Sequence, residues 1–281
     1  MTGPVRTFRA AYSAHLRSIT RFLTVPGYIG YSVAGPLFAL LTSWVIGSRV
    51  LSNVSYFQSL TGSSSYLTWV VIGFAFQSFI FSAAFGGAQA IRGEQEHGTA
   101  ELVFITPANK VAWLIGKMAA DQTFSLIGFS ILLALGGLFF GLTLGPTPNI
   151  PLAALGILLT MLSLSAFGMV FAGITFLAKR EDQLGQVLWP IMVFFCGLAF
   201  PVEALPKIVQ PISWVFPLTY GLYITRTALL TPAGLVGVAT PSITWLISML
   251  LLETAILVPI GIPLFNYLSK SARKTGALSG Y

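Results

Sequence analysis

Charged side chains are scarce in this sequence. Only 8% of its 281 residues are Asp, Glu, Lys or Arg, whereas 55% are hydrophobic. A soluble globular domain carries about 25% charged residues, so this composition excludes an ordinary soluble domain. Several apolar runs reach the ~20 residues that a membrane-spanning helix needs. The sequence therefore predicts an integral membrane protein.

Residues that carry out catalysis or bind metals are nearly missing as well. There is one cysteine, Cys196, and there are two histidines, His15 and His97, in separate segments. This excludes an intrachain disulfide, and no Cys/His cluster, H-E-x-x-H motif or Ser/His/Asp set is evident. Gly116-Lys117 lacks the upstream glycine and the Ser or Thr of a phosphate-binding loop. We therefore predict that the chain binds no cofactor or metal and has no ATPase site of its own.

Long apolar segments divide the chain. We predict an all-α integral membrane fold with six transmembrane helices, because each segment is long enough to cross a bilayer. The six predicted spans are Tyr28–Gly47, Tyr66–Ile91, Val111–Leu142, Leu152–Ala178, Leu184–Phe200 and Ile243–Leu268. The predicted organisation is a cytoplasmic N-terminal segment over residues 1–26, a transmembrane domain over 27–268 and a basic cytoplasmic tail over 269–281.

The basic residues predict the orientation of these spans. Lys and Arg concentrate on the cytoplasmic side of membrane proteins. If the N-terminus is inside, only Arg49, Lys207 and Arg226 of the 15 basic residues fall outside. Both termini are therefore predicted to be cytoplasmic. The net charge of +7 then serves orientation rather than nucleic-acid binding.

The N-terminal segment Arg6–Leu23 has a helical pattern. Its apolar residues are spaced by three and four, which makes one narrow stripe. They are Phe8, Tyr12, Leu16, Ile19 and Leu23. Its basic residues are Arg6, Arg9, Arg17 and Arg21. We predict an interfacial helix whose arginines lie near lipid head groups; the alternative is a basic flank that only sets orientation.

The longest polar segment between apolar runs is Arg92–Lys110, with the sequence RGEQEHGTAELVFITPANK. It holds three of the chain's eight carboxylates, Glu94, Glu96 and Glu101. Because predicted spans flank it on both sides, it is expected to lie outside the bilayer, at the cytoplasmic surface.

The middle of this segment has the pattern of a short helix. Gly98 permits a tight turn, and Thr99 is a residue type that caps a following helix. Glu101 falls in the first turn, where the helix dipole favours a carboxylate, and Pro107 ends the helix. We predict a short acidic helix parallel to the membrane that docks a soluble motor protein; the alternative is a solvated connector.

Two carboxylates fall inside predicted spans, where ionisable residues are functional candidates. Asp121 is four residues after Lys117, and this spacing favours an ion pair between them. Glu253 has no cation nearby in the sequence. It is expected either to pair across helices or to line a polar cavity.

Four prolines interrupt the segment before the last span. They are Pro201, Pro206, Pro211 and Pro217, and Leu218–Leu230 after them has the pattern of a short helix. Such a density of proline is incompatible with one continuous helix. We predict short helices that re-enter the outer side of the bilayer and are covered by protein.

Two motifs resemble one known family. Glu96-x-Gly98-Thr99-x-Glu101-Leu102, followed by Thr106-Pro107, resembles the signature loop of type-two ATP-binding-cassette (ABC) exporter permeases, which serve drugs, polysaccharides and lipids. Phe216-Pro217-Leu218-Thr219-Tyr220 with Arg226 is similar to the outer segment of that family. The resemblance covers most of the chain.

The resemblance implies a partnership. Two permeases pair, as identical chains or paralogues, and each contacts a cytoplasmic ABC ATPase that binds ATP and Mg. The coupling residues implied here are Glu94, Glu96, Gly98, Thr99, Glu101 and Pro107. The outer segment, which helps to close the pathway, is implied to include Phe200, Pro201, Pro206, Pro217 and Tyr220.

The resemblance also implies a function and a location. The chain is expected to be a permease subunit that exports a hydrophobic or amphipathic substrate, such as a drug, lipid or glycolipid, across the plasma (inner) membrane of a prokaryote. The substrate route is expected to lie between the two permeases. The alternatives are an ion-gradient-driven secondary transporter, an intramembrane enzyme and a non-transport membrane anchor or assembly subunit.

Overall fold

A computed structural model describes residues 3–22, 25–49, 66–142, 144–178, 181–230 and 241–274. The regular elements in these ranges are helices, which confirms the predicted all-α fold. In chain order they are α1 (Pro4–Phe22), α2 (Val25–Arg49), α3 (Tyr66–Phe79), a π-helical turn (Ile80–Ala84), α4 (Gly86–Glu96), α5 (Ala100–Ile105), α6 (Lys110–Phe139), α7 (Ile150–Ala178), α8 (Glu181–Phe195), a 3₁₀ turn (Val202–Ala204), α9 (Gln210–Ser213), α10 (Pro217–Leu230) and α11 (Ile243–Lys274).

Four helical stretches in the described part of the chain are long and apolar enough to cross a membrane. They are Tyr66–Ala84, Lys110–Phe139, Ile150–Ile174 and Ile243–Ala272. Two shorter apolar stretches, Val33–Val45 in α2 and Gly185–Phe195 in α8, fall below the length of a full span. Length and composition therefore support four of the six predicted spans directly.

Glycine allows the long helices to pack closely. At the crossing of α7 and α11, a side-chain carbon on Gly261 would lie only 3.2 Å from the Ala166 carbonyl oxygen. Further along, Gly173 faces Leu264 and Leu268 of α11. The aliphatic side chains of α7 and α11 pack on either side of these close backbone contacts. A residue larger than glycine at these positions would push the two helices apart.

The second predicted span ends differently from the prediction. Its helix is interrupted by the π-helical turn and Phe85, and then continues as α4 to Glu96, five residues beyond the predicted end at Ile91. At the interruption, Gly87 lies against α7, where a side-chain carbon would be 3.0 Å from the Gly168 carbonyl oxygen. The residues of α4 contain no proline, so the helix carries its charged end out of the apolar layer instead of unwinding at Arg92.

One end of the helix bundle unites distant parts of the chain. A buried cluster contains residues from α1, α4, α5, α6, α7 and α11, among them Ala11, Phe104, Trp113, Phe265 and Ala272. The N-terminal helix, the Arg92–Lys110 segment and the C-terminal part of α11 therefore lie at the same end.

Candidate functional site

Helix α5 presents an exposed face that is both acidic and apolar. Glu101 is exposed, and the side chains of Leu102 and Ile105 are 67% and 75% exposed. Ala100 and Phe104 on the opposite face are buried. The exposed face of this six-residue helix therefore combines a carboxylate with two large apolar side chains.

Three side chains fix α5 to the start of α6. The Phe104 side chain is fully buried, and its ring packs edge-on against Trp113 with 5.9 Å between ring centres. Lys110 Nζ donates hydrogen bonds to the carbonyl oxygens of Val103 and Thr106, both at 2.6 Å. A cation at these last carbonyls satisfies groups that the end of a helix leaves without partners.

The turn between α4 and α5 depends on Gly98. Its φ of +67° lies in the left-handed region that side chains disfavour. The turn is closed by hydrogen bonds from Gly98 N to the Gln95 carbonyl at 3.0 Å and from Thr99 N to the Glu94 carbonyl at 2.9 Å. Gly98 therefore sets the angle at which α5 leaves α4, as the sequence predicted for a tight turn.

Glu94 turns inward rather than toward solvent. Its carboxylate lies 2.5 Å from Lys117 Nζ on α6 and accepts a hydrogen bond from the Thr99 hydroxyl. Burial acts to raise the pKa of Glu94, but the bonds from Lys117 and Thr99 outweigh it and hold the pKa below its usual value. Glu94, Lys117 and Thr99 form a group, which we call the α4–α6 lock, that ties the turn to a long helix.

Two expectations for this region need correction. Thr99 occupies the N-cap position of α5, but its hydroxyl makes no capping bond and bonds Glu94 instead. The predicted pair between Lys117 and Asp121 is wrong, because Asp121 Oδ1 meets His15 Nε2 of α1 at 2.9 Å. A surface i,i+4 pair contributes only about 0.3–0.5 kcal/mol. The packing of α1 and α4 against α6 therefore determines that Asp121 pairs with His15 and that Lys117 pairs with Glu94.

The remaining predicted coupling residues are on the surface. Glu96 is exposed and pairs with Arg92 one turn earlier, with 2.8 Å between Nε and Oε1. Pro107 is exposed and follows the end of α5. Like Glu101 and Leu102, both residues are accessible to solvent.

Helix α1 lies along the first half of α6. Arg6, Arg9 and Arg17 are exposed, whereas Arg21 belongs to α1 with a side chain outside the described part. Four residues of the predicted apolar stripe, Phe8, Tyr12, Leu16 and Ile19, are half-buried, and Leu23 lies outside the described residues. Thr7 and Ala11 are the buried positions of the helix. Its inner face thus packs on protein.

The contact between α1 and α6 is backbone to backbone. A side-chain carbon on Gly116 would lie 2.7 Å from the Phe8 carbonyl oxygen and 3.0 Å from the Ala11 side chain. The Tyr12 hydroxyl also lies 3.1 Å from the Thr123 hydroxyl. The two helices therefore meet through backbone atoms as well as side chains.

The segment predicted to lie on the outer side is organised by Arg226, for which the sequence analysis predicted no structural role. The Arg226 side chain is completely buried in α10 and stacks on the Trp69 ring at 3.8 Å. Its guanidinium donates to the carbonyl oxygens of Gly197 at 2.6 Å and of Trp69 and Leu198 at 2.9 Å. The sequence signal that could have identified Arg226 is a cationic residue within an otherwise uncharged, largely apolar helix.

The residues predicted for the outer segment differ in their burial. Pro201 and Pro217 are buried, Phe200 is half-buried against Phe194 with 5.1 Å between ring centres, and Pro206 is exposed. The Tyr220 hydroxyl donates to the Trp214 carbonyl at 2.7 Å. The helix predicted over Leu218–Leu230 is confirmed as α10, Pro217–Leu230.

Glu253 lies in α11 and is half-buried. Its Oε2 is a buried atom without a hydrogen-bond partner among the described residues.

Comparison with known proteins identifies the class. The chain matches the family model of the ABC-2 family transporter protein over residues 10–261. It therefore belongs to the ABC-2 transporter family and is a multi-pass membrane protein, the permease component of an ABC transporter. A permease of this family works with ATPase subunits. A search of curated proteins found no match.

Proposed function

We propose that the chain is the membrane subunit of an ATP-driven exporter and that α5 is the helix that docks on its ATPase. The exposed face of Glu101, Leu102 and Ile105 on a helix anchored to α6 carries this proposal. ATP and Mg bind on the partner ATPase, and the chain itself holds no cofactor.

The anchoring of α5 explains how force reaches the membrane. Phe104 packs on Trp113, and Lys110 bonds the Val103 and Thr106 carbonyls, so α5 is joined directly to the start of α6. Glu94 bonds Lys117, which joins α4, the helix before α5, to α6 as well. Closure of the ATPase pushes α5, and α6 moves with it. Since α1 packs on Gly116 of α6, the same movement reaches the N-terminal helix.

The membrane arrangement that we propose has six crossings. The four long stretches supply four of them, and α2 and α8 supply the other two. The shared end of α1, the Arg92–Lys110 segment and α11 then faces the cytoplasm of a prokaryotic cell, with both termini on that side. Four exposed arginines and lysines there, Arg6, Arg9, Arg17 and Lys270, favour this orientation.

Export of hydrophobic or amphipathic molecules is the activity that we assign to the pair of permeases. The outer segment, held by Arg226, closes the outer side of the pathway. Asp121 and Glu253, the two carboxylates within long spans, supply polar groups along it. No feature of the described residues favours an ion-gradient-driven secondary transporter over an ATPase-driven permease.

Purification with mild detergent tests the docking surface directly. The tagged chain is expected to bring an ABC ATPase along in near-stoichiometric amount, detected by mass spectrometry. Leu102→Ser with Ile105→Ser should remove the ATPase, because the exposed apolar face is lost. Ile208→Ser is the matched control, since Ile208 is 87% exposed in the outer segment. If the double variant retains its ATPase in full, α5 is not the docking helix.

A further inference from the structure

A cavity of about 480 Å³ lies between α2, α3, α4, α6 and α8. This volume is typical of a site for a small molecule. Its polar lining includes Gln77, Ser82 and Asp121, and its apolar wall includes Phe81 and Trp189. Phe81 and Gln89 are exposed, so the cavity opens to the surface of the bundle.

Several lining atoms have no hydrogen-bond partner among the described residues. Gln77 Oε1, Ser82 Oγ and Trp189 Nε1 are all buried and unpartnered, and the side chains of Gln77 and Ser82 are only 3% and 6% exposed. A buried polar atom without a partner costs roughly 1–3 kcal/mol, and a membrane interior offers it little water. Three of the nine such atoms in the described part of the chain belong to residues that line this cavity.

Other polar residues of the same wall are already satisfied. The hydroxyls of Ser78 and Ser125 donate to the carbonyl oxygens of Ala75, at 2.8 Å, and of Ser78, at 3.2 Å. The polar wall of the cavity thus combines hydroxyls that are already bonded with the acceptors Gln77 Oε1 and Ser82 Oγ, which are not.

The charge of the cavity selects the ligand. Among the described residues that line it, Asp121 alone carries a charge. His15 reaches this carboxylate through Oδ1 at 2.9 Å, while Oδ2 lies beside Gly86, where the missing side chain leaves room. A negative group without Lys or Arg in the lining favours a cation.

The aromatic wall is suited to the rest of such a molecule. Phe81 and Trp189 are stacked, with 6.3 Å between ring centres and 29° between planes. Ring faces attract cations and also pack against alkyl chains. An ammonium head group donates up to three hydrogen bonds, which suits Gln77 Oε1, Ser82 Oγ and Asp121.

We propose that this cavity binds amphipathic molecules with a cationic ammonium head group, whose head lies between Gln77, Ser82 and Asp121 and whose apolar part lies along Phe81 and Trp189. The residues that line the site all belong to one permease. The inference rests on the proposed function only in making this ligand the exported substrate.

Binding is measured on the chain alone in lipid nanodiscs, without an ATPase. The probes are radiolabelled dodecylamine, protonated at pH 7, and two amphiphiles of the same chain length, dodecanol and dodecanoate. Empty nanodiscs give the background from partition into lipid. We expect saturable binding of dodecylammonium, at least about tenfold tighter than that of either other probe, as for one charge-assisted hydrogen bond.

Variants locate the bound head group. Asp121→Asn and Gln77→Leu should each weaken dodecylammonium binding about tenfold, and the conservative Ser82→Ala should weaken it less. Ser130→Ala, an exposed hydroxyl on α6 outside the cavity lining, should leave binding unchanged. Gln77→Leu also separates the alternatives, because removal of an unpartnered amide from a cavity without a ligand leaves probe binding unchanged and raises thermal stability.

Two results would overturn the proposal: equal binding of the three probes, or an affinity for dodecylammonium that none of the cavity variants alters. Either would show a gap filled by water or lipid. Loss of ATPase co-purification would defeat the proposed function and leave this measurement untouched, so the two failures are distinguishable.

Discussion

Lys117 Nζ lies 2.5 Å from Glu94 Oε1, although 23 residues separate them in the chain. Both side chains are largely enclosed, at 13% and 18% exposed. Lys117 also lies over the Trp113 ring, 4.9 Å from its centre. This pair joins the charged end of α4 to the first half of α6, and the ring that Lys117 covers is the one against which α5 packs.

Breaking this pair should cost stability. Lys117→Met leaves a mostly buried carboxylate without its cation, and we expect a loss of about 1–3 kcal/mol, with a similar loss for Glu94→Gln. In a double-mutant cycle the two losses should not add, because each removes the same bond. Glu96→Gln is the control, since Glu96 is 56% exposed and its pair with Arg92 contributes little. Thermal unfolding in detergent measures all four; full additivity would contradict a shared bond.

The same lock predicts a pH dependence. The folded-state pKa of Glu94 is lowered from its usual 4.5, so the contribution of this carboxylate to the stability of the fold is fully present above its pKa in the unfolded chain. It is lost as the pH falls through the folded-state pKa. Wild type should therefore lose more stability than Glu94→Gln on acidification below 4.5. Equal losses in thermal unfolding across this range would show that the lock does not titrate.

Much of the fold was predictable because it depends on local composition. Long apolar runs form helices here, even α11 with its interior prolines Pro259 and Pro263, so α6, α7 and α11 follow the predicted spans within a few residues, apart from the extension of α11 to Lys274. The π-helical interruption before Phe85 was not predictable, since it depends on how closely α4 meets Gly168 of α7.

The candidate site was predictable in place but not in its contacts. Gly98 and Glu101 lie where their residue types indicated, because turns and first helical turns are local. The partner of Asp121 is His15, 106 residues away, and no spacing rule connects them. Only the packing of α1 on Gly116 brings the two together.

Gly98 should be required for coupling rather than for insertion. Gly98→Pro forces φ negative and removes the N–H that bonds the Gln95 carbonyl, so α5 leaves α4 at another angle. We expect membrane insertion to persist, while export and substrate-stimulated ATP hydrolysis fall at least about tenfold, as for loss of ~1.4 kcal/mol of coupling. Gly93→Ala is the matched control, because a side-chain carbon there meets no atom within 4 Å. Normal export by Gly98→Pro would refute the coupling role.

Arg226 should be irreplaceable by lysine. Its fork reaches three carbonyl oxygens and its plane stacks on Trp69, whereas an ammonium reproduces neither geometry. Arg226→Lys should therefore destabilise the protein by about 2–4 kcal/mol in thermal unfolding. Lys207→Met, an exposed cation of the same outer segment, should have no effect. An Arg226→Lys protein of wild-type stability would show that these contacts of the guanidinium contribute nothing to the stability of the fold.

The contact of α1 with α6 is expected to be sensitive to one methyl group. Gly116→Ala places a carbon 2.7 Å from the Phe8 carbonyl oxygen, too close to be relieved by a rotamer change because the clashing atom is backbone. We expect α1 to separate from α6, with a loss of about 1–3 kcal/mol and faster proteolysis of α1 at Arg9 and Arg17. Gly137→Ala on the same helix meets open space and should be neutral or slightly stabilising.

Since His15 reaches Asp121 from α1, separation of α1 from α6 should also abolish that pair, and the His15 resonance seen by NMR should become that of a solvated imidazole. Unaltered proteolysis and an unaltered His15 signal in Gly116→Ala would mean that α1 is held by contacts other than this close approach.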